Sequence, residues 1–205
     1  MSYTCSVCED EITKKVHDYS LDKYERPLCR KDQNRIDESN KKGLSKKEGD
    51  FRENMIKGRI AETLIEELFL SLDYNVFRYG MENTIPGIMD LLKGVRSDVA
   101  NNIKRMPDLV VQDKNSNEVF FVEVKFRASG KFSKRYLPKD YPYENCYFIV
   151  VSKKHIKCIT YQELMEGKKI TPKSRNYLGS RKEFDLDKEV ITDFCNFAVK
   201  FFKEV

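Results

Sequence analysis

Residues 107–126 read PDLVVQDKNSNEVFFVEVKF, and the interpretation of the chain turns on them. Asp108–Gln112 and Val119–Phe126 are rich in β-branched and aromatic residues, and the turn formers Asp113–Asn117 separate them, so the stretch predicts a β-hairpin. Side chains alternate between the faces of a strand. Glu123 and Lys125 therefore share one face, while Phe120, Val122, Val124 and Phe126 point to the other, into a core. Asp108, on the neighbouring strand, can bring its carboxylate towards that of Glu123.

Working outward, Ile60, Ala61, Leu64, Ile65, Leu68, Phe69 and Leu72 recur at helical spacing and predict an amphipathic helix over about 55–72. Asn75–Tyr79 reads as a short strand. Gly80 and Pro86 punctuate the next segment, in which Ile88–Val99 can form a helix. Beyond the hairpin, residues 127–145 are basic and aromatic. Cys146–Ser152 is a continuous apolar run of the kind that forms a buried central strand. Ile156–Thr160 reads as a further strand and Tyr161–Glu166 as a short helix. Ile191, Phe194, Ala198 and Phe201 place a long helix at the C-terminus. The order is that of an α/β domain.

The whole chain has 205 residues, 40% hydrophobic and 35% charged, enough for one core and a small satellite. We divide it into a cysteine-bearing module (1–36), a polar linker (37–50, DESNKKGLSKKEGD) and a globular domain (51–205). No apolar run approaches the ~20 residues needed to cross a bilayer, so no membrane partner is expected. The N-terminal MSYTCSVCEDEI lacks the pattern of a secretory signal, which leads us to expect a cytoplasmic protein.

The net charge of +5 is unevenly spread. Lys125–Lys182 holds 15 basic against 4 acidic residues, whereas residues 1–40 hold 7 against 9. A basic half suits a polyanion such as DNA, because phosphate neutralisation releases counterions. The alternative is a lysine-rich solvated surface. Arg127, Lys131 and Lys134, just beyond the hairpin, are the expected DNA contacts, and Lys153, Lys154 and Lys157 could extend the patch. His155, between them, is read as a surface or partly buried residue.

Cys5-x2-Cys8, followed by Cys29-x2-Asp32, has the spacing of a small zinc-ribbon-like module, with Asp32 or alternatively His17 as the fourth ligand. So short a chain hardly buries a core of its own, which makes a structural Zn2+ physically sensible. Cys146, Cys158 and Cys195 sit in apolar contexts and read as buried thiols.

Two carboxylates and an ammonium at a sheet edge form a chemical device. Asp108 and Glu123 can hold Mg2+ or Mn2+, which prefer hard oxygen ligands. Lys125 can position a water or stabilise charge developing on a phosphate. Glu62, at the edge of the helical apolar stripe, can reach the same place; otherwise it is an ordinary helix glutamate.

The set Glu62, Pro107-Asp108 and Glu123-x-Lys125, in α–β–β–β order, resembles the PD-(D/E)xK nuclease superfamily. Within it the chain is most similar to archaeal Holliday junction resolvases and related archaeal or viral nucleases, over about residues 51–160. The resemblance implies a restriction-endonuclease-like αβββαβ core with a mixed central sheet flanked by helices. It also implies divalent-metal-dependent phosphodiester hydrolysis of DNA, often by a homodimer, in the host cytoplasm if the source is viral. Asp108 and Glu123 would be metal ligands, Lys125 the catalytic lysine, and Glu62 an assisting acid and possible further ligand. No Gln-x3-Tyr element follows the lysine, a departure from the RecB-like exonuclease branch. The competing readings are an exonuclease or restriction-type nuclease, and a non-catalytic DNA-binding protein on a nuclease fold.

Overall fold

The structure is a computed structural model, and it describes residues 2–41, 46–80, 87–184 and 186–204. The chain forms two compact units, Met1–Asn54 and Met55–Val205.

In the first unit, β1 (Tyr3–Thr4) and β2 (Glu11–Ile12) pair antiparallel around the loop that carries Cys5 and Cys8. Helix α1 (Lys14–Tyr24) starts at Thr13, whose side chain accepts from the Val16 N–H, and ends at Glu25 in the left-handed conformation. Helix α2 (Arg30–Lys41) follows. The module is thus a two-stranded hairpin with two helices, which differs from an all-strand ribbon. Among the described residues its buried apolar cluster is Cys5, Leu28 and Cys29, with Ile12, Tyr24 and Ile36 packed against it. Helix α3 runs Lys46–Ser71 and contains the boundary between the units. The described parts of the expected linker, up to Lys41 and from Lys46, are therefore helical. Helix-forming Lys and Glu outweigh the low hydrophobicity there.

The second unit is mixed α/β. Its sheet has the order β3 (Tyr74–Arg78), β4 (Leu109–Asp113), β5 (Val119–Phe126), β6 (Cys146–Val151) and β7 (Ile156–Thr160). Every neighbouring pair is antiparallel except β5 and β6, which run parallel. The β4–β5 turn closes through Asp113, whose carboxylate accepts from the Asn115 N–H and the Ser116 hydroxyl, while Asn117 takes φ 60°. Helix α4 (Ile88–Leu91) and helix α5 (Asp98–Lys104) replace the single helix expected over 88–99. Gly94, at φ 80°, lies between them, and the Ser97 side chain caps α5. The punctuation expected at Pro86 lies outside the described residues.

Both faces of the sheet are buried. On one, Ala61, Leu64, Ile65, Leu68 and Phe69 of α3 meet Val122 and Val124 of β5, together with Ile191, Ala198 and Phe202 of α7 (Lys188–Glu204). On the other, Phe132, Tyr141 and Ile170 cover Cys146, Phe148 and Val150 with Leu164 of α6 (Tyr161–Met165). Strand β6 feeds both clusters, which is why its sequence is continuously apolar.

The connection from β5 to β6 contains a 3-10 turn at Lys134–Tyr136 and no α-helix. This departs from the helix that an αβββαβ order places there. Pro138 and Pro142 obstruct helix formation, and Phe132 is instead bridged to Ile170. No helix among the described residues is long and apolar enough to cross a membrane.

Candidate functional site

The hairpin register pairs Leu109 with Val122, so Asp108 stands one position beyond the ladder, beside Glu123. Its Oδ2 accepts a hydrogen bond of 2.7 Å from the Val124 backbone N–H. Its carbonyl accepts from the Tyr79 N–H at 2.9 Å, which ties it to the end of β3. Asp108 is thereby fixed by the backbones of two other strands. Strand alternation then does for β5 what it dictates: Val122 and Val124 enter the core while Glu123 and Lys125 share the opposite face.

Asp108, Glu123 and Lys125 line one cavity of about 290 Å³, walled by Gly80, the end of α5 at Ile103–Met106, and Tyr136–Pro138 and Tyr141 of the crossover. Arg105 donates to the Asp140 carbonyl, joining two of these walls. Lys125 Nζ pairs closely with Glu123 Oε1 and lies 4.0 Å from Asp108 Oδ2. Burial works against the Lys125 charge, but Glu123, Asp108 and Glu62 together raise its pKa above the ordinary lysine value. Burial pushes the Glu123 carboxyl up to about 7, with Lys125 opposing and Asp108 adding to the rise. Glu123 Oε2 is buried and has no hydrogen-bond partner. A buried carboxylate oxygen without a donor is costly, and a proton or a bound cation would satisfy it. With Asp108 alongside, the donor set is all oxygen, which suits a hard cation.

Glu62 is half-buried on α3. Its charge acts on both Lys125 and Arg78, but it is not among the residues lining the cavity. Arg127 is half-buried and its guanidinium lies 5.0 Å from the centre of the Tyr136 ring. Lys131 and Lys134 are exposed on the crossover, and Lys153 and Lys154 reach solvent to differing degrees.

Lys157 does not belong to a surface patch. It is 3% exposed, and its ammonium donates to the carbonyls of Thr171, Pro172 and Ser174 at 2.7, 3.1 and 2.7 Å. His155 is half-buried, and burial together with Lys157 and Lys154 lowers its pKa. Sequence reasoning missed the α5 end. Tyr136 and Tyr141 stand out in the sequence only as aromatics of the stretch beyond the hairpin, open to base stacking or to packing. The structure places both in the cavity wall.

In the first unit, one ligand atom from each of Cys5, Cys8, Cys29 and Asp32 lies within 4.8 Å of all the others, so the set could hold a metal ion. Cys8 Sγ is 3.6 Å from Cys29 Sγ. Two thiolates at about 2.3 Å from one tetrahedral ion stand at a similar spacing. The Cys5 and Cys29 thiols both approach Asp32 Oδ2, at 3.4 and 3.3 Å, while Asp32 Oδ1 lies 3.3 Å from Arg35 Nη1. Burial disfavours a Cys5 thiolate, but backbone N–H groups of Cys8, Cys29 and Val7 bring its pKa below the ordinary value. Hydrogen bonds from Cys8, Cys29 and Cys5, with the Arg35 charge, lower that of Asp32. His17 is not in the set; its Nδ1 is 3.0 Å from Asp18 and its ring is 4.4 Å from that of Tyr3. Cys146 and Cys158 are buried thiols, and Cys195 is partly so.

Comparison with protein-family models, curated proteins and solved structures gives no match to this chain.

Proposed function

We propose that the chain is a divalent-metal-dependent DNA endonuclease, structure-selective in the manner of a Holliday junction resolvase, acting in the Asp108–Glu123–Lys125 cavity. The observation that carries this reading is the convergence of two carboxylates and a charged lysine in one cavity, with Glu123 Oε2 buried and unpartnered. Further support comes from the three antiparallel strands that present these residues and from the basic crossover above them. The helix-free crossover is a departure from the restriction-endonuclease-like order.

Asp108 and Glu123 would hold the cation, Mg2+ or Mn2+, while Glu62, outside the cavity lining, would act from α3 through its charge. When bound, such an ion polarises the phosphate and lowers the pKa of its water. Lys125 keeps its ammonium charged where negative charge develops on the phosphate, and can orient the attacking water. Tyr136, Leu137 and Pro138 of the crossover form part of the cavity wall. Arg127, Lys131 and Lys134 would neutralise backbone phosphates at and beside the site. In the first unit, Cys5, Cys8, Cys29 and Asp32 would hold a structural Zn2+, which the very small buried cluster there calls for.

The test is a cleavage panel of single strand, duplex, flap and four-way junction, each with Mg2+, Mn2+, Ca2+ or no metal. Cleavage of at least one DNA with Mg2+ or Mn2+ is expected. DNA binding without cleavage of any member would replace the nuclease by a non-catalytic DNA-binding protein. Cleavage confined to chain ends would make it an exonuclease.

A further inference from the structure

Three buried side-chain polar atoms among the described residues lack a hydrogen-bond partner: Glu123 Oε2, Arg127 Nε and Tyr141 Oη. They belong to one neighbourhood. Glu123, Tyr136 and Tyr141 line the same cavity; Arg127 is not among its lining residues, but its guanidinium lies 5.0 Å from the centre of the Tyr136 ring, at the cavity's edge. Arg127 follows Lys125 by two residues, and its N–H continues the parallel ladder by donating to the Val151 carbonyl at 2.8 Å. Glu123, Lys125 and Arg127 therefore project from the same face of one extended segment.

The chemistry of the three atoms is unequal. The carboxylate oxygen is an acceptor and calls for a cation. The guanidinium N–H can only donate and the phenol O–H can donate, so both can meet an acceptor oxygen. Tyr141 is 7% exposed, and its ring is held by Phe148, Tyr143 and Tyr161 at 5.5, 5.9 and 6.0 Å between centroids. That packing fixes where the hydroxyl can point. The Tyr141 hydroxyl lies beside the Cys146 thiol, a weak partner, and burial with Cys146, Glu123 and Asp108 raises its pKa, so it stays protonated. Leaving a buried donor unmet is costly, and an oxygen-rich ligand would remove that cost. A cation site with Tyr141 in its wall and Arg127 at its edge is complementary to a phosphodiester, whose negative charge is shared by two non-bridging oxygens.

We infer that Tyr141 and Arg127 form a clamp on the phosphate at the Asp108–Glu123–Lys125 site, each donating to a non-bridging oxygen. The inference rests on the nuclease reading and deepens it. It assigns Tyr141, whose aromatic ring alone would suggest base stacking or packing, to substrate binding through its hydroxyl. Tyr136 acts as a positioning residue, with the Arg127 guanidinium 5.0 Å from the centre of its ring.

The experiment compares the full chain with Tyr141→Phe and Arg127→Lys, using an oligonucleotide that the wild-type protein cleaves. The phosphate at the mapped cleavage position is oxygen-only or carries sulfur at one or the other non-bridging position. Single-turnover cleavage is read in Mg2+, binding by fluorescence anisotropy in Ca2+, and folding by melting temperature. Tyr141→Phe keeps the ring, and its melting temperature is expected within a few degrees of wild type. Its cleavage should slow by about 100-fold, as for loss of one oxyanion donor, and its binding should weaken by about threefold or more, within the range for one hydrogen bond. Sulfur is a poor acceptor, so the rate penalty for one of the two sulfur positions should largely vanish in Tyr141→Phe, and that for the other in Arg127→Lys. A slower variant that retains both sulfur penalties in full would reduce Tyr141 to a packing role and overturn the clamp. So would wild-type rates in both variants. Failure of the nuclease reading looks different: the wild-type protein cleaves nothing in any metal. Anisotropy with an unmodified duplex then decides, since unchanged affinity in both variants overturns the clamp and weakened affinity supports a phosphate-holding site.

Discussion

The Asp108 carboxylate accepts the backbone N–H of Val124 at 2.7 Å, so the side chain that begins one strand is fastened to the middle of the next. The bond fixes one oxygen of Asp108 between the side chains of Glu123 and Lys125, which flank Val124 in sequence. The acidic pair is therefore built into the hairpin ladder. Asp108→Asn can preserve this hydrogen bond through its amide oxygen while removing the charge. We expect it to fold like the wild type, to bind DNA in Ca2+, and to lose cleavage by about 1,000-fold or more. Retained cleavage in Asp108→Asn and Glu123→Gln, measured on any substrate of the panel, would remove both from the reaction.

The raised Glu123 pKa has a defined sign. A carboxyl with a folded value of about 7, against an ordinary 4.5, contributes stability that is fully present below about 4.5 and is lost as pH rises towards 7. Metal-free protein should therefore melt at progressively lower temperature across that window, relative to Glu123→Gln. Thermal melts of both proteins at a series of pH values check it; parallel curves would contradict a perturbed Glu123. Bound cation should shrink the difference, because it competes with the proton.

The first unit should depend on its metal. One zinc per chain is expected by elemental analysis, and a strong chelator should abolish the circular-dichroism signal of α1 and α2. Arg35→Ala, which removes the charge beside Asp32, should lower zinc affinity by about tenfold. A metal-free preparation that keeps its full helical signal would contradict the assignment.

Lys157 is expected to matter for folding rather than for DNA. Replacing it with Met leaves the carbonyls of Thr171, Pro172 and Ser174 without their shared donor and should cost about 2–4 kcal/mol in chemical denaturation. The DNA affinity of the folded fraction should not change.

Lys131→Ala and Lys134→Ala should each weaken DNA binding across all sequences and reduce the dependence of log affinity on log salt by about one. An unchanged salt slope in the double variant would take the crossover out of the DNA path.

Much of the fold was legible because its signals are local. The i, i+3, i+4 spacing from Ile60 to Leu72 marks the buried stripe of α3, and the alternation from Phe120 to Phe126 separates core from charge. Asp108, Glu123 and Lys125 could be placed together from that alternation and a turn signal. The strand ends shifted by a residue, since Asp108 lies just before the ladder and makes its contact through its side chain. What was not legible depends on distant partners. Lys157 looks like a surface lysine until residues 171–174 wrap around it. Tyr141 looks like one aromatic among many, because its burial comes from Phe148 and Tyr161 on other elements. The crossover promised a helix only through the resemblance; Phe132 bridging to Ile170 gives it another course.

The parallel pairing of β5 with β6 bears on when the chain becomes competent. The floor of the cavity, Glu123 and Lys125, lies on β5, while Tyr136, Leu137 and Tyr141 come from the connection that the parallel ladder closes. A nascent chain that has formed only the β4–β5 hairpin carries the charged residues with no chamber around them. Closing a long loop to pair parallel strands is a slow, entropically opposed event compared with forming a local hairpin. The cavity would thus be completed only when the sheet consolidates, and on the nuclease proposal a partly folded molecule would carry the charged residues without being able to cut.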